Sequence, residues 1–309
     1  MNIQKIGDLA GAAGELLTVS GKKPPRIAVA AAREEAILAA MAGAEQLGLA
    51  KPVLLGERKK IEESAEKSGV KLSGWELIEE NNPAAAAVRA VELIRDGEAD
   101  LVMKGLVSSA AFLRAVLRKD LGLNRGSLIS HGALVEVPGY HKLFIASDCA
   151  LNISPNLAEK EAILRNAVDL AHSLGITCPK AAILGAAETV DAERMPCTAD
   201  AAILTQMQKR GQISGCIVDG PLALDNAVST ASANTKSIDS PVAGDADILV
   251  VPDIEAGNIL YKSITCFSGG KIAGVILGTR TPVILTSRAD SAETKTASIA
   301  LAILAWLGQ

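Results

Sequence analysis

Aromatic residues make up only 2% of this 309-residue chain, so its core cannot rest on packed rings. With 49% apolar content the core must come from Ala, Val, Ile and Leu, as in parallel sheets covered by helices on both faces. Cysteine is sparse too. The five present (Cys149, Cys178, Cys197, Cys216 and Cys266) are odd in number and never form C-x-x-C, which excludes a disulfide framework and a zinc ribbon. A reducing compartment, the cytoplasm, is expected. The three histidines, His131, His141 and His172, have no metal-type spacing, and no metal is expected. His172 sits inside a helical pattern and reads as a surface or packed residue. An excess of cations is missing as well: the net charge is −4 and the pI about 5.6, which argues against nucleic acid as a partner. No run approaches the ~18 uninterrupted apolar residues of a membrane span, and the first eight residues carry no apolar signal region, so no membrane association is expected.

Several nucleotide and nucleophile motifs are also absent. No G-x-G-x-x-G follows a strand pattern, and Gly269-Gly270-Lys271 lacks the upstream Gly and the Ser/Thr of a phosphate-cradling P-loop. There is no G-x-S-x-G elbow. Dinucleotide, NTPase and serine-hydrolase readings lose their support.

What is present is a rhythm. Short β-branched runs at 26–32, 52–56, 75–80 and 99–104 alternate with helical patterns at 34–49, after Pro83 and from about Ser108. Near 122–126 Gly and Asn punctuate the chain, and two close strand-like runs follow at 127–137 and 142–149, a hairpin that opens a second block. That block continues with helix 158–175, strand 181–185, helix 199–211 and strands 216–219 and 248–252. The last segment, with strands 274–278 and 282–287 and helix 292–307, returns to the style of the first. The expectation is an α/β protein of two domains: residues 1–125 with 280–309, and residues 126–279.

Four segments place polar or glycine-rich residues just after strands, where ligands bind in open α/β sheets. In the first, Lys104 and Gly105 end a strand, and Ser108 and Ser109 open a helix whose free N–H groups could hold an anion or could simply be capped. The second sets Asp219 and Asp225 six residues apart across a Pro-containing turn, as a binding loop or as cap residues. The third carries Gly244, then Gly257 and Asn258 beyond a buried strand, with Lys262 one helical turn on. The fourth places Ser287 and Arg288 at a strand's carboxyl edge, with Asp290 and Glu293 at capping-box spacing. Arg288 has no role in a cap.

Together, residues 103–114, 219–229, 240–262 and 286–295 resemble the phosphate acetyltransferase and phosphate butyryltransferase family, over about the last two-thirds of the chain. The strings from Leu285 to Ser291 and from Met103 to Ser108 look closer to the butyryl branch. The resemblance implies a two-lobed fold of the isocitrate and isopropylmalate dehydrogenase type with a central cleft, usually dimeric. It also implies the reaction acyl-CoA plus phosphate giving acyl phosphate plus CoA. Coenzyme A is then a substrate, with no metal or separate cofactor.

In that chemistry Arg288 and Arg114 would stabilise phosphate or oxyanion charge, and Ser287 would hydrogen-bond the thiol or the tetrahedral oxygen. Lys104, Gly105, Ser108, Ser109, Asp219, Asp225, Gly244, Gly257, Asn258 and Lys262 would bind substrate. Where the acetyl branch carries a proposed Asp base this chain aligns Thr294, so the base falls to Glu293 or Asp290. Rival readings are a phosphate acyltransferase with another acyl donor, a metal-dependent dehydrogenase on the same fold, and a CoA-binding or regulatory protein without turnover. The acyl chain length stays open, although Ala110 and Ala111 hint at room.

Overall fold

The computed structural model describes residues 3–124, 126–287 and 290–308. In chain order the first run comprises α1 (Leu9–Ser20), β1 (Arg26–Ala30), α2 (Glu35–Gln46), β2 (Lys51–Gly56), α3 (Arg58–Ser68), β3 (Glu76–Glu79), α4 (Pro83–Arg95), β4 (Leu101–Lys104) and α5 (Ser109–Val116). The middle run comprises β5 (Ser130–Glu136), β6 (Phe144–Ser147), α6 (Leu157–Ser173), β7 (Lys180–Leu184), α7 (Pro196–Lys209), β8 (Ile217–Leu222), α8 (Leu224–Val228), α9 (Thr230–Thr235), β9 (Ile248–Val250) and α10 (Ile254–Phe267). The chain closes with β10 (Lys271–Leu277), β11 (Val283–Ile284) and α11 (Ala292–Leu307).

Local signals explain most starts and stops. Pro83 opens α4 behind Asn82, whose side chain accepts from the amides of Ala84 and Ala85. Asn156 and Glu159 close a capping box on α6. Helix α7 begins three residues before the expected 199 because Pro196 takes its first turn. Four of the described helices escaped the sequence reading: α1, α3 and the short α8 and α9. Helix α1 is rich in Ala and Gly, and α3 is mostly charged, burying only Ile61 and Ala65 one turn apart.

The chain divides into two compact units. A split unit takes Gly7–Ser127 and Ala273–Gln309, and a central unit takes Leu128–Ile272 together with Ile3–Ile6. The split unit's strands run β3-β2-β1-β4-β11-β10, parallel except for the antiparallel pair β10/β11. Its chain steps outward from β1 to β3 and then returns to β4 on the other side of β1, which makes the carboxyl ends of β1 and β4 a topological switch point. Helix α11 is buried nearly all round from Ala297 to Ala305 and packs on α1 and α2.

The central unit runs β5-β6-β9-β7-β8, with the expected antiparallel hairpin β5/β6 and the other pairs parallel. Its core gathers Ala133, Phe144, Ala182, Leu249, Ile264 and Ile272, short aliphatics with a single ring. The fold class is therefore α/β, and the strands of each unit are built from the β-branched runs that the sequence displays.

Candidate active site

At the switch point of the split unit, β1 ends in Ala31, whose φ of 55° is left-handed and strained for a residue with a Cβ. The end of β4 lies against it. The Gly105 amide donates to the Ala30 carbonyl at 2.8 Å, and a Cβ at Gly105 would stand 2.3 Å from that oxygen. Only glycine lets the two strand ends approach so closely. Lys104, just before it, is buried at 4% exposure, with its Nζ 3.3 Å from the Gly105 carbonyl. Ser108 caps α5, its side chain accepting from the Ala111 amide at 3.2 Å, which is the capping reading of this residue. Ser109 is exposed at the first position of α5, and Arg114 is exposed in its last turn.

Beside β4, β11 is followed by Leu285, Thr286 and Ser287. Ser287 is half-buried. Its amide donates to Asp290 Oδ2 at 2.7 Å, and its carbonyl accepts from the Asp290 amide at 3.2 Å. Asp290 is therefore spent on closing this turn. The helix cap is Ser291, which accepts from the Thr294 amide at 3.2 Å, a correction to the capping box expected from Asp290. Thr294 uses its hydroxyl near Ser291 Oγ at 3.2 Å, and Glu293 is exposed in the first turn of α11. Arg288 lies outside the described residues.

Two groups here were missed by sequence reasoning. Lys295 is fully buried, and its ammonium donates to the carbonyls of Ser287 at 2.9 Å and Asp290 at 2.7 Å while pairing with Glu34 Oε1 at 3.1 Å. Arg33, just past β1, has a buried Nε without a hydrogen-bond partner among the described residues. For Arg33 the available signal was its position just past a strand; Lys295, inside α11, carried no local signal.

The other candidates lie in the central unit. Asp219 sits half-buried within β8. Asp225 is exposed on α8 and pairs with Lys236 Nζ at 3.4 Å. That lysine also binds Glu188 at 2.7 Å, which holds the Glu188 carboxyl below its ordinary range, and Glu188 accepts a further hydrogen bond from the buried Asn226. Gly244 has a φ of 78°, and a Cβ there would stand 2.6 Å from the Thr230 backbone. Gly257 lies inside α10, where a Cβ would stand 2.6 Å from the Asp148 carbonyl. The close approach expected at Gly257 is thus to the chain's own backbone. Asn258 Nδ2 reaches the Cys149 carbonyl at 3.5 Å, and Lys262 stands over the Tyr261 ring at 5.3 Å.

Burial pushes the Cys149 thiol up to about 12 and Cys216 up to about 11, which leaves both protonated and unsuited to nucleophilic work at neutral pH. All five cysteines are free, with Cys178 and Cys266 exposed. Among the described residues no group of three or more His, Cys, Asp or Glu side chains could hold a metal ion, and no helix is long and apolar enough to cross a membrane.

The family model described as phosphate acetyl/butaryl transferase matches residues 14–87 and 80–303 of this chain. A phosphate butyryltransferase of Clostridium acetobutylicum is 46% identical over 289 residues, 94% of this chain and 96% of that protein. Among solved structures, a branched-chain phosphotransacylase from Enterococcus faecalis V583 superposes with a TM-score of 0.80 at 34% identity, covering 91% of this chain and 98% of that one. A 4-hydroxythreonine-4-phosphate dehydrogenase from Klebsiella pneumoniae shares the fold alone, with a TM-score of 0.58 at 14% identity over 93% of this chain and all of that one.

Proposed function

We propose, for a chain that belongs to the phosphate acetyl- and butyryltransferase family, that the Ser287 turn and the Lys104–Gly105 strand end carry its chemistry. The protein is an acyltransferase that exchanges a short acyl group between coenzyme A and inorganic phosphate. Phosphate oxygen attacks the thioester carbonyl, a tetrahedral centre forms, and CoA leaves as thiolate. In reverse the CoA thiol, with an ordinary pKa of ~8.5, must give up its proton before attack.

Both directions develop negative charge on the carbonyl oxygen and on sulfur, and both bind a phosphoryl group. The Ser287 hydroxyl would donate to sulfur or to the tetrahedral oxygen. Arg288 and Arg114 neutralise phosphate and oxyanion as fixed forks of donors. Lys104, with Gly105, Ser108 and Ser109 at the start of α5, forms the anion-binding edge. Arg33 adds a guanidinium at the same strand ends. In the central unit, Asp219, Asp225, Gly244, Asn258 and Lys262 are assigned to substrate binding. Glu293, exposed in the first turn of α11, stands as the base, because the Asp290 carboxylate is engaged in the turn.

The single observation behind this reading is the convergence of Lys104, Gly105 and Ser287 at adjacent parallel strand ends beside a switch point. No metal or separate cofactor is assigned to the reaction. We place the protein in the cytoplasm, as its free thiols favour, and as a homodimer or higher oligomer. The exposed apolar Ile259 and Phe267 on α10 support association.

The test is release of free thiol from acetyl-CoA and from butyryl-CoA, with and without phosphate, in the natural protein and in Arg288→Ala. Phosphate-dependent release that falls roughly 100-fold or more in the variant is the expected result, and the ratio of the two substrates ranks chain length. Release without phosphate would indicate a thioesterase. CoA binding with no release would indicate a binding protein without turnover.

A further inference from the structure

We infer that Lys295 is a positioning residue for the acyl transfer, its buried ammonium fixing the Ser287 turn to Glu34 at the end of β1. The inference rests on Ser287 acting at the reacting atoms.

Burying an ammonium carries a large desolvation cost, and a buried lysine therefore has to find a full set of partners. Lys295 does so: its ammonium donates to the Ser287 and Asp290 carbonyls and forms an ion pair with Glu34 Oε1 at 3.1 Å. Its side chain is 1% exposed, and that of Glu34 is 18% exposed. Buried and held by two backbone carbonyls and a carboxylate, the ammonium is out of reach of a substrate. Lys295 must act through what it holds.

Local structure does not need it. The turn is already closed by the Asp290 carboxylate on the Ser287 amide, and α11 is already capped by Ser291. A methionine or leucine at position 295 would fill the same space in a helix that is otherwise apolar on this face. The added effect of the ammonium is a link between segments from opposite ends of the sequence. Glu34 precedes α2 just after the strained Ala31, and Ser287 follows β11, with β4 and its Lys104 lying between β1 and β11. The clamp therefore sets how far the Ser287 oxygen stands from the Lys104 strand end. A misplacement of about 1 Å at such a group costs roughly 100-fold in rate. A purely structural ion pair would change stability and leave kcat alone.

The experiment uses the full chain with Glu34→Gln, Lys295→Met, the double variant Glu34→Gln/Lys295→Met, and each crossed with Ser287→Ala. Urea melts are run alongside kcat and KM for butyryl-CoA and phosphate. The double variant removes both charges, so no lone buried ion remains to unfold the protein. The expected result is a folded double variant with kcat lowered about 10–100-fold and both KM values within about threefold. Glu34→Gln alone gives a smaller loss of the same kind. Ser287→Ala then adds little to the double variant, because its hydroxyl is already misplaced.

A folded double variant with kcat within about threefold of the natural protein, or full additivity with Ser287→Ala, would overturn the inference. A double variant that fails to fold would overturn it as well, by making Lys295 a core strut. If Ser287→Ala alone is silent, the reading of the active site fails. If it is severe while the Lys295 variants are silent, only the clamp fails.

Discussion

Lys160 in the central unit and Lys295 in the split unit are both buried and paired with a carboxylate, and the two differ in what they hold. Lys160 on α6 of the central unit is 4% exposed and pairs with Asp200 on α7 at 2.7 Å, tying one helix to another side chain to side chain. Lys295 on α11 of the split unit donates two hydrogen bonds to the backbone carbonyls of Ser287 and Asp290 and forms an ion pair with Glu34. The first is what a core uses to fix helix register. The second fixes the backbone on either side of the Ser287–Asp290 turn, and a turn is held this way where a side chain on it must stand still. Burial and residue type alone do not separate the two cases; the partner atoms do.

The comparison can be broken or sharpened by substitution. The largest effect is expected at Lys160→Met, which strands the Asp200 carboxylate: about 3–5 kcal/mol of stability should be lost, with kcat per folded molecule within about twofold. Urea melts and active-site-normalised rates check this, and a tenfold loss of kcat would erase the distinction between the two lysines. Next comes Gly105→Ala. Its Cβ would stand 2.3 Å from the Ala30 carbonyl, so the ends of β1 and β4 must part, with a loss of about 1–3 kcal/mol and a marked fall in kcat. An unchanged rate would remove the strand junction from the site.

A smaller effect is expected at Asp225→Ala in the central unit. Its carboxylate is exposed and paired with Lys236 at 3.4 Å, so stability should move by less than about 1 kcal/mol, and any change in rate should lie in KM for CoA. The smallest effect concerns pH. Burial pushes the Asp245 carboxyl up, but hydrogen bonds from Lys142, Lys180 and His141 outweigh it and hold the group well below the usual carboxylate range. A depressed carboxyl contributes stability that is complete above the unfolded pKa, about 3.9, and is lost as pH falls below it. Asp245 is 41% exposed, so screening keeps the contribution modest. Urea melts at pH 6 and pH 3 should show a slightly steeper acid loss in the natural protein than in Asp245→Asn, and equal slopes would contradict the assignment.

The same contrast explains what the sequence made legible. Strands β1, β2 and β4 stand out as β-branched runs because both faces of a parallel sheet are buried and nothing polar interrupts them. The hairpin β5/β6 was marked by Pro-Gly between two apolar runs. Helix α3 was not legible, because two apolar residues among eleven give too narrow a stripe. At the site, Lys104, Gly105 and Ser287 were readable by their position after strands. The Lys295 clamp was not, since it joins Glu34 to a turn at the other end of the chain, and no local spacing records that contact. Asp290 was misplaced as a cap by one residue, because its carboxylate is taken by the Ser287 amide and Ser291 takes over the helix end. Gly257 stood out for closeness to something. That something is the chain's own backbone, which sequence spacing cannot distinguish from a ligand.

The most direct measurement is Ser287→Ala, assayed for phosphate-dependent thiol release from butyryl-CoA with CoA affinity measured by calorimetry on the same preparation. The expected result is a fall in kcat of roughly 100- to 1,000-fold with CoA affinity changed by less than about threefold, as for loss of a donor used only in the transition state. A kcat within about threefold of the natural protein would contradict the placement of the chemistry at this turn.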